Sequence, residues 1–271
     1  MVGRMANPGH KTIVRLVGSA SAILSAVLFA GACWAQGQAA PVMAPLPKGC
    51  EGPGSYVVGS SPLPNLLAAL KERKAIKILT IGATSASSRG PVSGGHYATL
   101  ERFLESTFKG LDVEVVHRGV SGELASDAAE RIKTEVALES PDVVLWQLGT
   151  SDALAQIPVE DFEAAISRTI EWLKEHNVDV ILVGVRYAPN MAKDPHYQAI
   201  RAATQRIASQ QNVLRIARYE AEETMERLRR EQGLPVSEAE ATEAGYACSA
   251  EYLARAIAAG LFATELHRPA P

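Results

Sequence analysis

Five short apolar runs, each separated from the next by an amphipathic stretch, constrain this chain more than any other feature. They are Ile76–Ile81, Val113–Val116, Val143–Leu148, Val178–Val183 and Val213–Ile216. Between them apolar residues recur at helical spacing over Tyr97–Phe108, Glu123–Leu138, Val159–His176 and Tyr197–Gln210. Two further helices are predicted after the last run, Glu220–Gln232 and Ala244–Ala259, and a short one, Leu66–Arg73, leads into the first. Gly233 and Pro235 stand where a helix stop belongs. Strands that are mainly apolar and alternate with helices predict an α/β fold whose parallel sheet is covered on both faces. With right-handed crossovers, five strands fit the flavodoxin-like order 2-1-3-4-5. The switch point of that order lies between strands 1 and 3, so the loops Gly82–Arg89 and Gly149–Asp152 converge where such sheets place their ligands.

The first of these loops is rich in small hydroxyl residues. Ile76–Ile81 ends at Gly82, and Thr84, Ser85, Ser87 and Ser88 follow. A buried strand that ends in glycine and hydroxyls is one way in which α/β enzymes present a nucleophile at the carboxyl edge of the sheet. An ordinary strand-to-helix loop has the same composition, and the choice depends on the rest of the chain.

With 271 residues, 47% of them hydrophobic, the chain can build one sizeable α/β domain. The first 35 residues read as an export signal. Lys11 and Arg15 precede an apolar, small-residue run from Leu16 to Ala32, and Ala35 suits cleavage. A lipoprotein form acylated at Cys33 is disfavoured, because the usual leucine three residues before the cysteine is absent. The run is diluted by Gly18, Ser19, Ser21 and Ser25, which disfavours an uncleaved anchor. Residues 36–65, rich in Ala, Pro, Gly and Ser, read as a linker, residues 66–264 as the domain and residues 265–271 as a tail. Cleavage predicts a periplasmic or secreted protein with no membrane span in its mature chain. Three of the 27 basic residues, Arg4, Lys11 and Arg15, leave with the leader, so 24 face 30 acidic ones. That balance, with 6% aromatic residues, gives no footprint for nucleic acid. Two cysteines remain, Cys50 and Cys248, and in an oxidising compartment they are expected to form a clasp between the ends of the domain.

Four segments carry a resemblance. GATSAS at Gly82, RGVSGELASD at Arg118, WQLGTSDAL at Trp146 and ATEAGYACSAEYLARAI at Ala241 resemble the blocks of the SGNH (GDSL-type) hydrolases, in that family's order and spacing. The likeness runs from about Lys74 to Leu261 and is strongest to exported members from alphaproteobacteria. It implies a three-layer α/β/α fold and hydrolysis of esters or acyl groups. A serine would act with a histidine base and an aspartate, and the oxyanion would be held by the serine N–H, a glycine N–H and an asparagine.

Carried over residue by residue, the nucleophile falls on Thr84, the glycine donor on Gly122 and the asparagine on Ser151, while the aspartate falls on Ser237 and the histidine on Glu240. Only Gly122 keeps its family residue. Threonine adds a methyl that restricts χ1 and crowds the direction of attack. A glutamate in the place of the base titrates near about 4.3 unless strongly desolvated, too low to take a hydroxyl proton efficiently at neutral pH. Ser151 is shorter than asparagine, and the loss of one oxyanion donor costs on the order of 10²–10³ in rate. The replacements predict that the hydrolase mechanism is lost and that the protein acts by binding in its cleft, with an acylated glycan or an envelope protein as the partner.

Two alternatives stay open from the residues alone. One is an active ester or acyl hydrolase that uses Thr84 or Ser85 with an unusual base such as Glu240 or His196, the histidine of the KDPHYQ segment. The other is a structural envelope protein. His96 and His117 are weaker candidates for the base. Asp152, Tyr187 and His196 are secondary binding candidates, with Pro189 beside Tyr187 as a cleft-lining residue. No cofactor is implied, and Glu238, Glu240 and Asp152 lack histidines at ligand spacing for a metal. Trp146 is expected in the core, and Glu223–Arg227 and Glu226–Arg230 on a solvated helix face.

Overall fold

The computed structural model describes residues 57–58, 61–83, 95–233, 248 and 250–261. All of them belong to one compact unit, Ala40–Pro271. The order of elements is β1 (Val57–Val58), α1 (Pro64–Glu72), β2 (Ala75–Ala83), α2 (Gly95–Thr107), β3 (Asp112–Val120), α3 (Ala125–Glu139), β4 (Val143–Gln147), α4 (Thr150–Leu154), α5 (Val159–Glu175), β5 (Asp179–Val183), α6 (Pro195–Gln210), β6 (Leu214–Ile216) and α7 (Arg218–Glu231). A last helix, α8, includes residues 250–261.

The sheet has the order β1-β6-β5-β4-β2-β3. The strands β2 to β6 are parallel throughout, and they realise the expected order 2-1-3-4-5. The register sets Ile78 of β2 opposite Val115 of β3 and Val143 of β4. One strand was not expected. Val57–Val58, inside the segment that reads as a linker, pairs antiparallel with β6 and makes the sheet six-stranded. Two residues are too few to carry a periodic pattern, so this strand had no sequence signal. Helix α1 begins two residues earlier than predicted, with Pro64 in its first turn, where proline lacks only an N–H that has no intrahelical partner.

Side chains alternate across the sheet and build a core on each face. Val144 and Trp146 of β4 point to the face covered by α3, α5 and α6, where Ile132, Phe162, Ile166, Ile170, Ile200 and Ile207 meet them. Val143 and Leu145 point to the opposite face, under Leu66 of α1, Leu100 and Leu104 of α2, and Leu253 and Ile257 of α8. Trp146 is fully buried, as its place in an apolar strand requires. On α7, Glu226 pairs with Arg230 as its spacing predicts, while Arg227 reaches Glu231.

The amino edge is pinned by two acids. Asp179 opens β5, where it accepts hydrogen bonds from Leu66 N at 2.8 Å and Asn65 Nδ2 at 2.9 Å, and so anchors α1. Burial pushes its carboxyl up to about 6, against the opposing effect of those two donors. Asp142 accepts from Lys77 N at 2.8 Å and pairs with Arg73.

Candidate functional site

Three glycines shape the carboxyl edge. Gly82 has φ +103°, and a Cβ there would stand 1.9 Å from the carbonyl oxygen of Gln147, so only glycine lets β2 and β4 approach at this point. Gly149, at φ +94°, packs against Val185 and Ile200, where a Cβ would come within 2.8 Å of Val185 Cγ1. Gly122, at φ +78°, has nothing within 4 Å of the Cβ direction and faces open space. The same backbone conformation therefore serves close packing at two positions and an open turn at the third.

The Gly122 turn is held firmly. Glu123 N donates to Val120 O at 3.3 Å, and the Glu123 carboxylate takes a two-pronged bond from Arg131, with Nε and Nη2 each at 2.8 Å. Arg131 also donates to the carbonyl of Arg118, at 2.6 Å. The Glu123 bond raises the Arg131 pKa further. This fork fixes where β3 hands over to α3.

Asp152 joins that turn to the next. It is 1% exposed; Oδ1 accepts from Ala125 N at 2.8 Å and Oδ2 from Gly149 N at 3.1 Å. Burial raises its pKa, and the two backbone donors oppose that shift. Each oxygen already accepts a backbone N–H, so Asp152 acts as a brace between α3 and α4. The expected loop Gly149–Asp152 is in fact the start of a one-turn helix, α4, too short to leave a pattern in the sequence. Ser151 sits half-buried in its first turn. Gly122 and Ser151 are thus held on neighbouring elements through one buried carboxylate.

The connection from β5 to α6 runs beside α4. Arg186 N donates to Thr150 Oγ1 at 3.1 Å, and Tyr197 OH donates to Arg186 O at 2.6 Å. Burial raises the Tyr197 pKa, as expected of a hydroxyl enclosed by this connection. Tyr187 N donates to Glu222 Oε2 at 2.7 Å, and its ring meets Tyr219 edge to face, with centroids 5.2 Å apart. His196 lies in the first turn of α6, after the Asp194 cap, with Nε2 buried and unpartnered.

Thr84 and Ser85 follow β2 directly but lie outside the described residues, as do Ser237, Glu240, Glu238 and Cys50. Cys248 is buried beside Ala221, Met225 and Tyr252. The side chain of His96 is likewise outside. His117 lies three residues short of the end of β3, where Nδ1 is 2.7 Å from Oγ1 of fully buried Thr80. Among the described residues no group of three or more His, Cys, Asp or Glu gathers as metal ligands. No described helix is long and apolar enough to cross a membrane. Sequence reasoning passed over Thr150, Arg186 and Tyr197. The signal for Arg186 was a cation just beyond an apolar strand, in the run Val178 to Arg186.

The profile of the non-GDSL lipase-like family matches residues 49–262, most of the chain. The chain belongs to this family. The relationship agrees with the SGNH (GDSL-type) resemblance and with the first block, which reads Gly82-Ala83-Thr84-Ser85. Among curated proteins the chain is similar to an arylesterase from Vibrio mimicus, 29% identical over 84 residues, which are 31% of this chain and 42% of that protein. It is also similar to Esterase TesA from Pseudomonas aeruginosa, 25% identical over 114 residues, 42% of this chain and 56% of that one. The chain thus spans about half the length of the curated relatives it matches. Among solved structures, Axe2, an acetylxylan esterase from Geobacillus stearothermophilus, shares the fold with a TM-score of 0.52 at 21% identity, covering 67% of this chain and 94% of that one. Catalytic mutants of Axe2 replace a histidine in one structure and an aspartate in another.

Proposed function

We propose that this family member is exported and non-catalytic, and that it acts by binding a ligand, such as an acylated glycan or a partner protein of the envelope, in the cleft at the carboxyl edge. One observation carries the reading. Four of the five family positions hold Thr84, Ser151, Ser237 and Glu240, while the frame that would serve them, the Gly122 turn and the Asp152 brace, is intact. A frame kept without its proton acceptor suits binding better than turnover. The family resemblance supports it, because the positions it assigns to the histidine and the aspartate hold Glu240 and Ser237. Export rests on the leader over residues 1–35, and the clasp between Cys50 and Cys248 belongs to the same reading. The burial of Cys248 at 2% exposure supports the clasp.

Purified protein given a short-chain aryl ester and a fluorophosphonate probe is expected to show neither turnover nor labelling. Turnover that disappears in Thr84→Ala or Ser85→Ala would overturn the non-catalytic reading. A thiol count on the unfolded, unreduced mature chain is expected to find none, and two free thiols would remove the clasp.

A further inference from the structure

We propose that Arg186 is the anion-recognising residue of this cleft, and that the ligand presents a carboxylate or a phosphate to it. The inference rests on the reading of the carboxyl edge as a binding cleft and names the chemistry the cleft selects.

Many arginines of this protein are matched with acids. Arg118 pairs with Glu135 and Glu139, Arg131 with Glu123, Arg201 with Glu220, Arg206 with Glu163, and Arg218 with Glu222. Arg186 is half-buried, its Nε is shut off from solvent without a partner, and among the described residues no acid pairs with its guanidinium. The acids tied to the same connection are committed elsewhere. Asp152 accepts from Ala125 N and Gly149 N. Glu222 accepts from Arg218 Nε at 2.8 Å and from Tyr187 N. Asp194 caps α6 through Tyr197 N at 2.7 Å. A second buried nitrogen without a partner, His196 Nε2, lies in the first turn of α6, just after that connection.

A guanidinium withdrawn from water with no counter-charge is costly, and the cost is relieved when an anion arrives. The planar fork of arginine fits the two oxygens of a carboxylate or a phosphate. The backbone of Arg186 is fixed on both sides, by Thr150 Oγ1 at its N–H and by Tyr197 OH at its carbonyl, and Thr150 is the residue before Ser151. The backbone of Arg186 therefore stands against the helix that bears the family's oxyanion position, and its positive charge acts on the Tyr197 hydroxyl.

Calorimetric titration of the protein at low ionic strength with butyrate, inorganic phosphate and neutral butyramide tests the assignment. At least one anion is expected to bind about tenfold or more tightly than butyramide, and the tighter one identifies the group. Arg186→Gln is expected to weaken that anion about tenfold or more, Arg186→Lys several-fold, and Arg206→Ala not at all. The bonds to Thr150 and Tyr197 use backbone atoms of Arg186, so the fold is expected to survive both replacements. If Arg186→Gln does not fold, Arg186→Lys decides alone. Anions that bind no better than butyramide, or that bind the Arg186 variants as tightly as the parent, overturn the proposal. Ester turnover with Arg186-dependent anion binding intact would sink only the non-catalytic reading. No turnover and no anion preference would sink only this one.

Discussion

At the amino edge of the sheet, polar groups taken out of water meet partners. Asp179 holds α1 through two donors, and Asp142 joins Lys77 N to Arg73. The carboxyl edge is built on the opposite plan. Its described acids Asp152, Asp194 and Glu222 are bonded within the frame, Gly82, Gly122 and Gly149 adopt left-handed backbone, and Trp146 Nε1, Arg186 Nε and His196 Nε2 are buried without partners among the described residues. Both edges come from the same strands, so burial alone does not separate them. The difference lies in which valences are left open, and in an open α/β sheet they are left open at the end where ligands bind.

The largest expected effect tests the close approach of β2 and β4 at the carboxyl edge. Gly82→Ala would force a Cβ onto Gln147 O, and it is expected to destabilise by about 4 kcal/mol in urea unfolding. A loss under about 1 kcal/mol would mean that β2 and β4 can separate there without penalty. Asp152→Ala strips the acceptor from two buried backbone N–H groups and is expected to cost about 3 kcal/mol by the same measurement. A near-neutral result would remove the brace from the description of this edge.

The amino edge gives the next effect. A carboxyl raised to about 6 in the folded protein holds its proton more tightly than in the unfolded chain. Stability from Asp179 is therefore lost as pH rises from about 4 to about 6, on the order of 2 kcal/mol in all. Asp179→Asn is expected to flatten the melting-temperature profile over that window, and an unchanged profile would show that Asp179 does not titrate there. Gly122→Ala is expected to have the smallest effect, about 1 kcal/mol, because its φ is strained but its surroundings are open. The contrast with Gly82 is the sharper test. Equal losses at the two positions would mean that strain rather than crowding governs both.

The layers and strand order were legible because each strand from β2 to β6 carries a short, mainly apolar run bounded by a helix with its own periodic face, even β3, where Val113 and Val116 are buried between exposed charges. β1 and α4 were not, since two residues and five residues leave no period to read. Among site positions, Gly122 was singled out only through the family resemblance, and the structure adds that it occupies a left-handed turn, which calls for glycine. Asp152 was noticed as a ligand-binding acid, whereas its oxygens brace two backbone turns, a role that depends on Ala125, 27 residues away in the chain. Arg186 escaped notice for a related reason. A lone arginine is ordinary until the acids around it are seen to be taken, and that is a property of the assembled edge.

The short strand β1 has a consequence for self-association. By lying along β6 it covers one margin of the sheet, which leaves β3 as the other outermost strand. Along β3 the exposed positions include Asp112, Glu114 and Arg118, and Lys77 and Glu139 are paired with charges on that strand. A second copy adding its own strand here would have to dehydrate those charges, so the molecule is guarded against sheet-to-sheet polymerisation by a cover at one margin and by ionised side chains at the other.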